Sequence, residues 1–460
     1  MIGPRFGGLR AVTDRGAVSE RLRTFFRAMS PGQRAAVVRA LDQAGDAPER
    51  LLVLQALAAA DLDPADLDAA LRRVLAPLEP FTLDEGELPK TPALVLASSL
   101  AALRAWLARQ PVASEFAAIS PDTDSAAAAA DTARLDGARL AVAGFIAGAL
   151  DRAAADRAFR GRLAVELGGE RVLADMPDIA VVLRGGDWIE AVEADIAAAS
   201  GPEAEASLAL RHLVTRTVRR SAEQLPFVMI LLRARLGGLG PLIRLAVHCA
   251  ETAAADRLSV HPLGVAVDLA LSEADRALAR AQAARHEPDA AGLVLAIRDF
   301  GAVFRALARE IDLEPRSRWS ARIAALRRAM SDAVRGRLGD LAPRVSAVLR
   351  VRNPMPSAAE IDRLESDIGV LVAARALADE IALSADTLKG ISSIRELIDT
   401  GSQALVDRMR ESDRAARRPL RARLDAVVRL ARPMFGRDYA DVLARSAEVA
   451  ARGEILAGTG

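Results

Sequence analysis

Apolar residues recur at intervals of three and four along nearly the whole 460-residue chain. That is the period of an amphipathic helix, and alternating Val, Ile, Thr or aromatic runs joined by hairpin turns are almost absent. The pattern predicts an all-α protein, a multi-helix bundle or array. Ser30-Pro31-Gly32-Gln33 reads as an N-cap with proline at the first helical position and glutamine placed for a capping box. Asp46-Ala47-Pro48-Glu49 and Asp63-Pro64-Ala65-Asp66 are related starts. Prolines 31, 48 and 64 are 17 and 16 residues apart, so two helix-plus-turn units have the size of an α-solenoid repeat. The N-terminal part is therefore expected to be solenoid-like, although the marker residues of tetratricopeptide repeats are missing.

Proline and glycine punctuate the rest. Residues 77–92, with prolines at 77, 80, 89 and 92 and an acidic cluster, form a break. Helices are expected near 93–109, 131–152, 155–167, 177–184, 187–199, 203–221, 223–236, 241–256, 262–285 and 289–311. Gly168-Gly169, Gly185-Gly186 and Gly237-Gly238 are placed as C-caps, where a left-handed residue needs to lack a Cβ. A basic helix near 317–351 precedes Pro354-Met355-Pro356. Beyond it Ile361, Leu364, Ile368, Leu371, Ala374, Leu377 and Ile381, then Ile391, Ile394, Ile398, Gly401 and Leu405, form a narrow apolar seam. Such a seam predicts long amphipathic helices in a coiled-coil-like hairpin or bundle. Its Ala-rich character favours filling by the chain itself, with a second copy as the alternative. The breaks suggest an acidic N-terminal domain at 1–111, a linker at 112–130, a central domain at 131–312 and a basic C-terminal domain at 313–460.

Composition fits this picture and narrows the function classes. The chain is 51% hydrophobic, too apolar for disorder, and only 3% aromatic. By count 99 residues are Ala, and Lys90 and Lys389 are the sole lysines beside 60 arginines. That bias points to a GC-rich, bacterial coding sequence, so each arginine has to be justified individually. The formal net charge is +1, which argues against a whole-molecule field that would hold nucleic acid or membrane nonspecifically. The sum hides an acidic front, 15 acidic against 7 basic residues from Asp46 to Asp136. It also hides basic stretches, 10 against 4 over 312–352 and 9 against 3 over 410–437. The lone Cys249 excludes an intramolecular disulfide framework and fits a reducing compartment. The N-terminus has no apolar signal core. The most apolar stretch, Leu225 to Ala250, is interrupted by Arg233, Arg235 and Arg244, so no transmembrane segment is expected. A cytoplasmic location follows as the expectation.

No catalytic set assembles from the sequence. His248, Cys249, Glu251 and His261 are the nearest approach to a metal cluster, but their order matches no zinc motif, and packed core plus a cap is the favoured reading. His212 and His286 stand alone. The glycines of Leu236-Gly237-Gly238-Leu239-Gly240-Pro241 lack both the preceding strand and the Lys-Ser/Thr of a phosphate loop. No metal and no cofactor is therefore assigned. Anion or partner binding is assigned instead to Arg233 and Arg235, which enter an apolar helix. It is also assigned to Arg414, Arg417, Arg418 and Arg421, which make a cationic stripe if Pro419 leaves that helix intact. The expected function is a non-enzymatic α-helical scaffold or adaptor that binds protein partners, with homo-oligomerisation as one form of it. A basic-surface binder of nucleic acid or anionic membrane is the alternative, and an enzyme with a helical-bundle site comes third.

Overall fold

The structure is a computed structural model that describes residues 13–43, 53–57, 60, 63–84, 90–116, 119, 128–199, 203–313 and 317–452. Among these residues it is all-α apart from one parallel pair of two-residue strands, β1 (Thr82–Leu83) and β2 (Val95–Leu96). Among the described residues no helix is long and apolar enough to cross a membrane. The chain divides into two compact units, Met1–Gly238 and Leu239–Gly460.

The first unit carries α1 (Thr13–Arg27), α2 (Pro31–Gln43), α3 (Pro64–Leu75), α4 (Ala97–Leu107), α5 (Ala128–Ala155), α6 (Arg157–Glu166), α7 (Glu170–Leu183), α8 (Gly186–Ala198), α9 (Glu203–Arg220) and α10 (Leu225–Leu236). The start signals of α2 and α3 act as read. Ser30 and Gln33 make the reciprocal capping box at α2, and Asp63 accepts the Ala65 N–H at 2.8 Å to start α3. Pro48, the middle member of the spaced prolines, lies outside the described residues. The long Ala-rich α5 packs against α3, α6 and α7. Its buried Val142 and Ile146 join Leu71, Leu103, Trp106, Met176, Ile179 and Phe227 in one core. Val112, Ala113 and Phe116, at the front of the expected linker, are buried in that same core. Proline there bends the chain into a short 3₁₀ turn without separating two cores.

Glycine roles divide. Gly168 (φ +84) and Gly169 end α6, with the Gly169 N–H reaching back to the Ala164 carbonyl, and Gly237 (φ +70) ends α10. Gly185 differs from the expected C-cap: its φ is −139, it precedes α8, and the Trp188 ring sits 2.6 Å from where a Cβ would be. That close approach, not a left-handed turn, is what requires glycine there.

The second unit carries α11 (Leu239–Ala250), α12 (Ala255–Val260), α13 (Val265–Ala284), α14 (Ala291–Glu310), α15 (Ser320–Leu338), α16 (Leu341–Leu349), α17 (Ala358–Ala376), α18 (Ser384–Glu411), α19 (Arg414–Phe435) and α20 (Arg437–Arg452). The expected basic helix at 317–351 is two helices, broken at Gly339-Asp340. The seam is filled within the chain, since Ile361, Leu364, Ile368, Leu371, Ile394, Ile398 and Leu405 share a core with Val345, Val348, Leu424 and Leu430. Its continuity is interrupted, because α17 stops at Ala376 and the chain turns before α18. In that turn the exposed Ala382 is held left-handed at φ +56, and the Leu383 N–H donates to the Ala378 carbonyl at 2.8 Å.

A left-handed conformation strains a residue with a Cβ by about 1–2 kcal/mol. Ala382→Gly should therefore stabilise this unit by about 0.5–1 kcal/mol after the extra entropy of the unfolded glycine is counted. An unchanged or lower urea midpoint would contradict that.

Candidate functional site

The candidate site is a groove along α18. Residues three and four apart share a helix face, and α18 sorts its residues onto three flanks. Ile394, Ile398, Leu405 and Met409 enter the core. Arg395 and Asp399 face α19 and α20: Arg395 lies 5.4 Å over the Phe435 ring, and Asp399 accepts the Tyr439 hydroxyl at 2.6 Å. The third flank, Asp386, Gly390, Ser393, Leu397, Thr400, Gly401, Ala404 and Arg408, lines two cavities of about 590 and 270 Å³ that meet at Ser393.

The opposite wall is the end of α15, α16 and the chain just after it. Ser346, Leu349, Arg350 and Val351 line the wider cavity, and Leu338, Leu341 and Ala342 line the narrower one. Gly401 sets the width, because a Cβ there would lie 2.7 Å from Leu349 Cδ2. The small side chains of α18 thus leave a trough, and Leu349, Val351, Leu397 and Leu405 give it an apolar floor.

Charge is confined to the rim. Arg335 is neutralised by Asp332 at 2.9 Å and Asp386 at 3.0 Å. Arg350, Lys389 and Arg408 are exposed and pair with no carboxylate among the described residues, and Glu396 is the acidic group between them. Four hydroxyl residues line the two cavities, Ser346, Thr387, Ser393 and Thr400, and no histidine or cysteine does. The trough combines an apolar floor with charged edges.

The back of α18 is held rigidly. Tyr439 stacks on Phe435 with ring centroids 4.3 Å apart. Burial, followed by the hydrogen bond to the Asp399 carboxylate, pushes its pKa up from 10.0 to about 12. Unfolding returns the phenol to its ordinary value, so the unfolded chain loses this proton first and stability falls as pH rises from about 10 to about 12. Tyr439 is the single tyrosine. The native tyrosinate absorbance should therefore titrate near pH 12 in one step, and Tyr439→Phe should remove this component of alkaline destabilisation. A native midpoint near 10 would contradict the hydrogen bond to Asp399.

The arginines singled out from the sequence do not converge on this groove. On α10, Arg233 is half-buried and engaged within the chain, while Arg235 is exposed. Pro419 lies on the exposed side of a continuous α19 and does not end it. Arg417 donates to the carbonyls of Ser412 (3.0 Å) and Ala451 (3.2 Å). Arg421 pairs with Asp425 at 2.8 Å and reaches Glu448 at 4.0 Å. Two members of the stripe thus tie α19 into its own turn and to α20. Arg418 is exposed, and the Arg414 side chain lies outside the described residues.

His248, Cys249, Glu251 and His261 do not assemble, and no cluster of three or more His, Cys, Asp or Glu among the described residues could hold a metal. His261 instead accepts the Leu263 N–H at 3.1 Å and caps the turn that follows.

Sequence reasoning missed the groove. Its signal was the spacing of Gly390, Ser393, Thr400, Gly401 and Ala404 on the flank beside the isoleucines, where small residues leave room between helices. No protein-family model, curated protein or solved structure matches the chain.

Proposed function

We propose that the chain is a non-enzymatic helical adaptor, and that an amphipathic helix of a partner protein occupies the groove between α16 and α18. One observation carries this reading: a trough with an apolar floor, formed by small residues on an otherwise large-residue helix and edged by unpaired charges. Helix-in-groove recognition needs those three features and no catalytic group. The buried charges lend support from the other side, because Asp175 and Asp367 are spent on intramolecular ion pairs, as in a framework rather than a reaction centre.

Ala404 is exposed and lines the wider cavity, so Ala404→Trp fills the trough without entering the core. The test is quantitative binding of a purified co-isolated partner to the wild-type chain and to this variant. A loss of about tenfold or more, with an unchanged Tm, is the expected result. Equal affinity would refute groove docking. Steep salt-dependent binding to duplex DNA or anionic vesicles that Arg418→Glu removes would favour the basic-surface alternative.

A further inference from the structure

Along the groove the charges alternate. Lys389, Glu396 and Arg408 lie on α18 at intervals of 7 and 12 residues, or about 10 and 18 Å along a straight helix. Arg350 shares the wider cavity with Arg408 and doubles the positive charge at that end. None of these cations has a carboxylate partner among the described residues, whereas neighbouring Arg335 is already neutralised. The polarity is thus positive at each end and negative between, over an apolar floor.

We propose that the groove selects an amphipathic helix with carboxylates at its two ends and a cation between them. This inference rests on groove docking. A helix lying alongside α18 matches its rise, so the complementary pattern is an acidic residue, a basic one 7 positions away and a second acidic one 12 positions beyond, in either chain direction. Apolar side chains spaced by three and four would fill the trough between them. Charge placement of this kind contributes chiefly register and partner discrimination, because a like charge set against the rim is costly. The apolar floor supplies the affinity.

The probe is a displayed library of helical peptides with an Ala/Leu/Ile/Met face and randomised flanks. It is selected on the full wild-type chain, with Ala404→Trp as the counter-target. Enriched peptides are expected to carry Asp or Glu at positions 19 apart and Lys or Arg between them. The double variant Arg350→Glu, Arg408→Glu should weaken them about tenfold, and Glu396→Lys should reverse the preference at the middle position.

Peptides that Ala404→Trp abolishes, but that have neutral or basic ends and ignore the charge variants, would overturn the charge register and leave groove docking standing. Failure to enrich any peptide on the wild-type chain over Ala404→Trp would overturn groove docking itself. Self-association of the full chain that Ala404→Trp abolishes would assign the groove to a second copy and overturn a separate partner.

Discussion

Asp367→Ala is expected to destabilise the second unit by about 3–5 kcal/mol, the range for breaking a buried ion pair from one side. Asp367 is fully buried on α17 and binds Arg337 of α15, itself 2% exposed, and Arg344 of α16 at 2.7 Å. The remaining donors of Arg337 go to the carbonyls of Arg285 (3.1 Å), Glu287 (2.5 Å) and Pro288 (3.3 Å) after α13. Removing the carboxylate leaves a guanidinium in the interior with carbonyls alone, and the unbalanced charge dominates the loss. Asp367→Leu combined with Arg337→Met deletes both charges but orphans those three carbonyls, so it should recover part of the stability and not all. Urea midpoints and amide exchange in α15, α16 and α17 check both results. A single-variant loss below about 1 kcal/mol would mean that water reaches the pair.

This network explains what could and could not be read from the sequence. Caps and prolines are local, and Ser30, Asp63, Gly168 and Gly237 act within a few residues of themselves, so they were legible. So was the seam, because Ile361, Leu364, Ile368, Ile394 and Ile398 obey one period whichever helix they meet. Gly185 was misread because a close side chain and a left-handed φ ask for the same residue. Pro111 opens a turn, yet Val112 and Phe116 beyond it are buried in one core with helices before and after them. Proline reports a local turn, whereas a unit boundary is set by which distant side chains meet. The groove depends on Leu349 arriving opposite Gly401, 52 positions apart in sequence. No window of neighbouring residues contains that pair.

The abundance of arginine is the second feature that only the packing clarifies. Arginine outnumbers lysine 60 to 2, and the guanidinium fork gives many of these residues a shared task. Arg23 donates to the carbonyls of Ala108 (2.5 Å) and Gln110 (3.1 Å) just past α4, and Arg27 to that of Ala60 at 3.0 Å. Arg417 does the same for Ala451 near the end of α20. Helix C-termini leave carbonyls without partners and carry partial negative charge, so a planar multi-donor cation from a neighbouring helix suits them. Within the stripe at 414–421, Arg417 reaches a neighbouring helix in this way, whereas Arg421 pairs with Asp425 of its own helix.

Arg423 gives the sharpest test of that role, because no carboxylate complicates it. It is 4% exposed on α19 and donates to the Val348 carbonyl at 2.7 Å and to that of Asn353, at and beyond the end of α16. Desolvation lowers its pKa, so burial of the charge works against folding while the hydrogen bonds work for it. Arg423→Met relieves the first and loses the second. Two charge-assisted bonds at about 1.5–3 kcal/mol each outweigh the relief of a cation already placed against a helix C-terminus, giving a net loss of about 2–4 kcal/mol. Arg423→Lys keeps the charge but cannot span both carbonyls, so it should fall between wild type and methionine. If lysine instead equals wild type, charge against the helix terminus is what matters. If methionine is the most stable of the three, desolvation wins and the carbonyls find water. The ordering, read from urea midpoints, separates the fork from the charge at a position that also anchors the α16 wall of the groove.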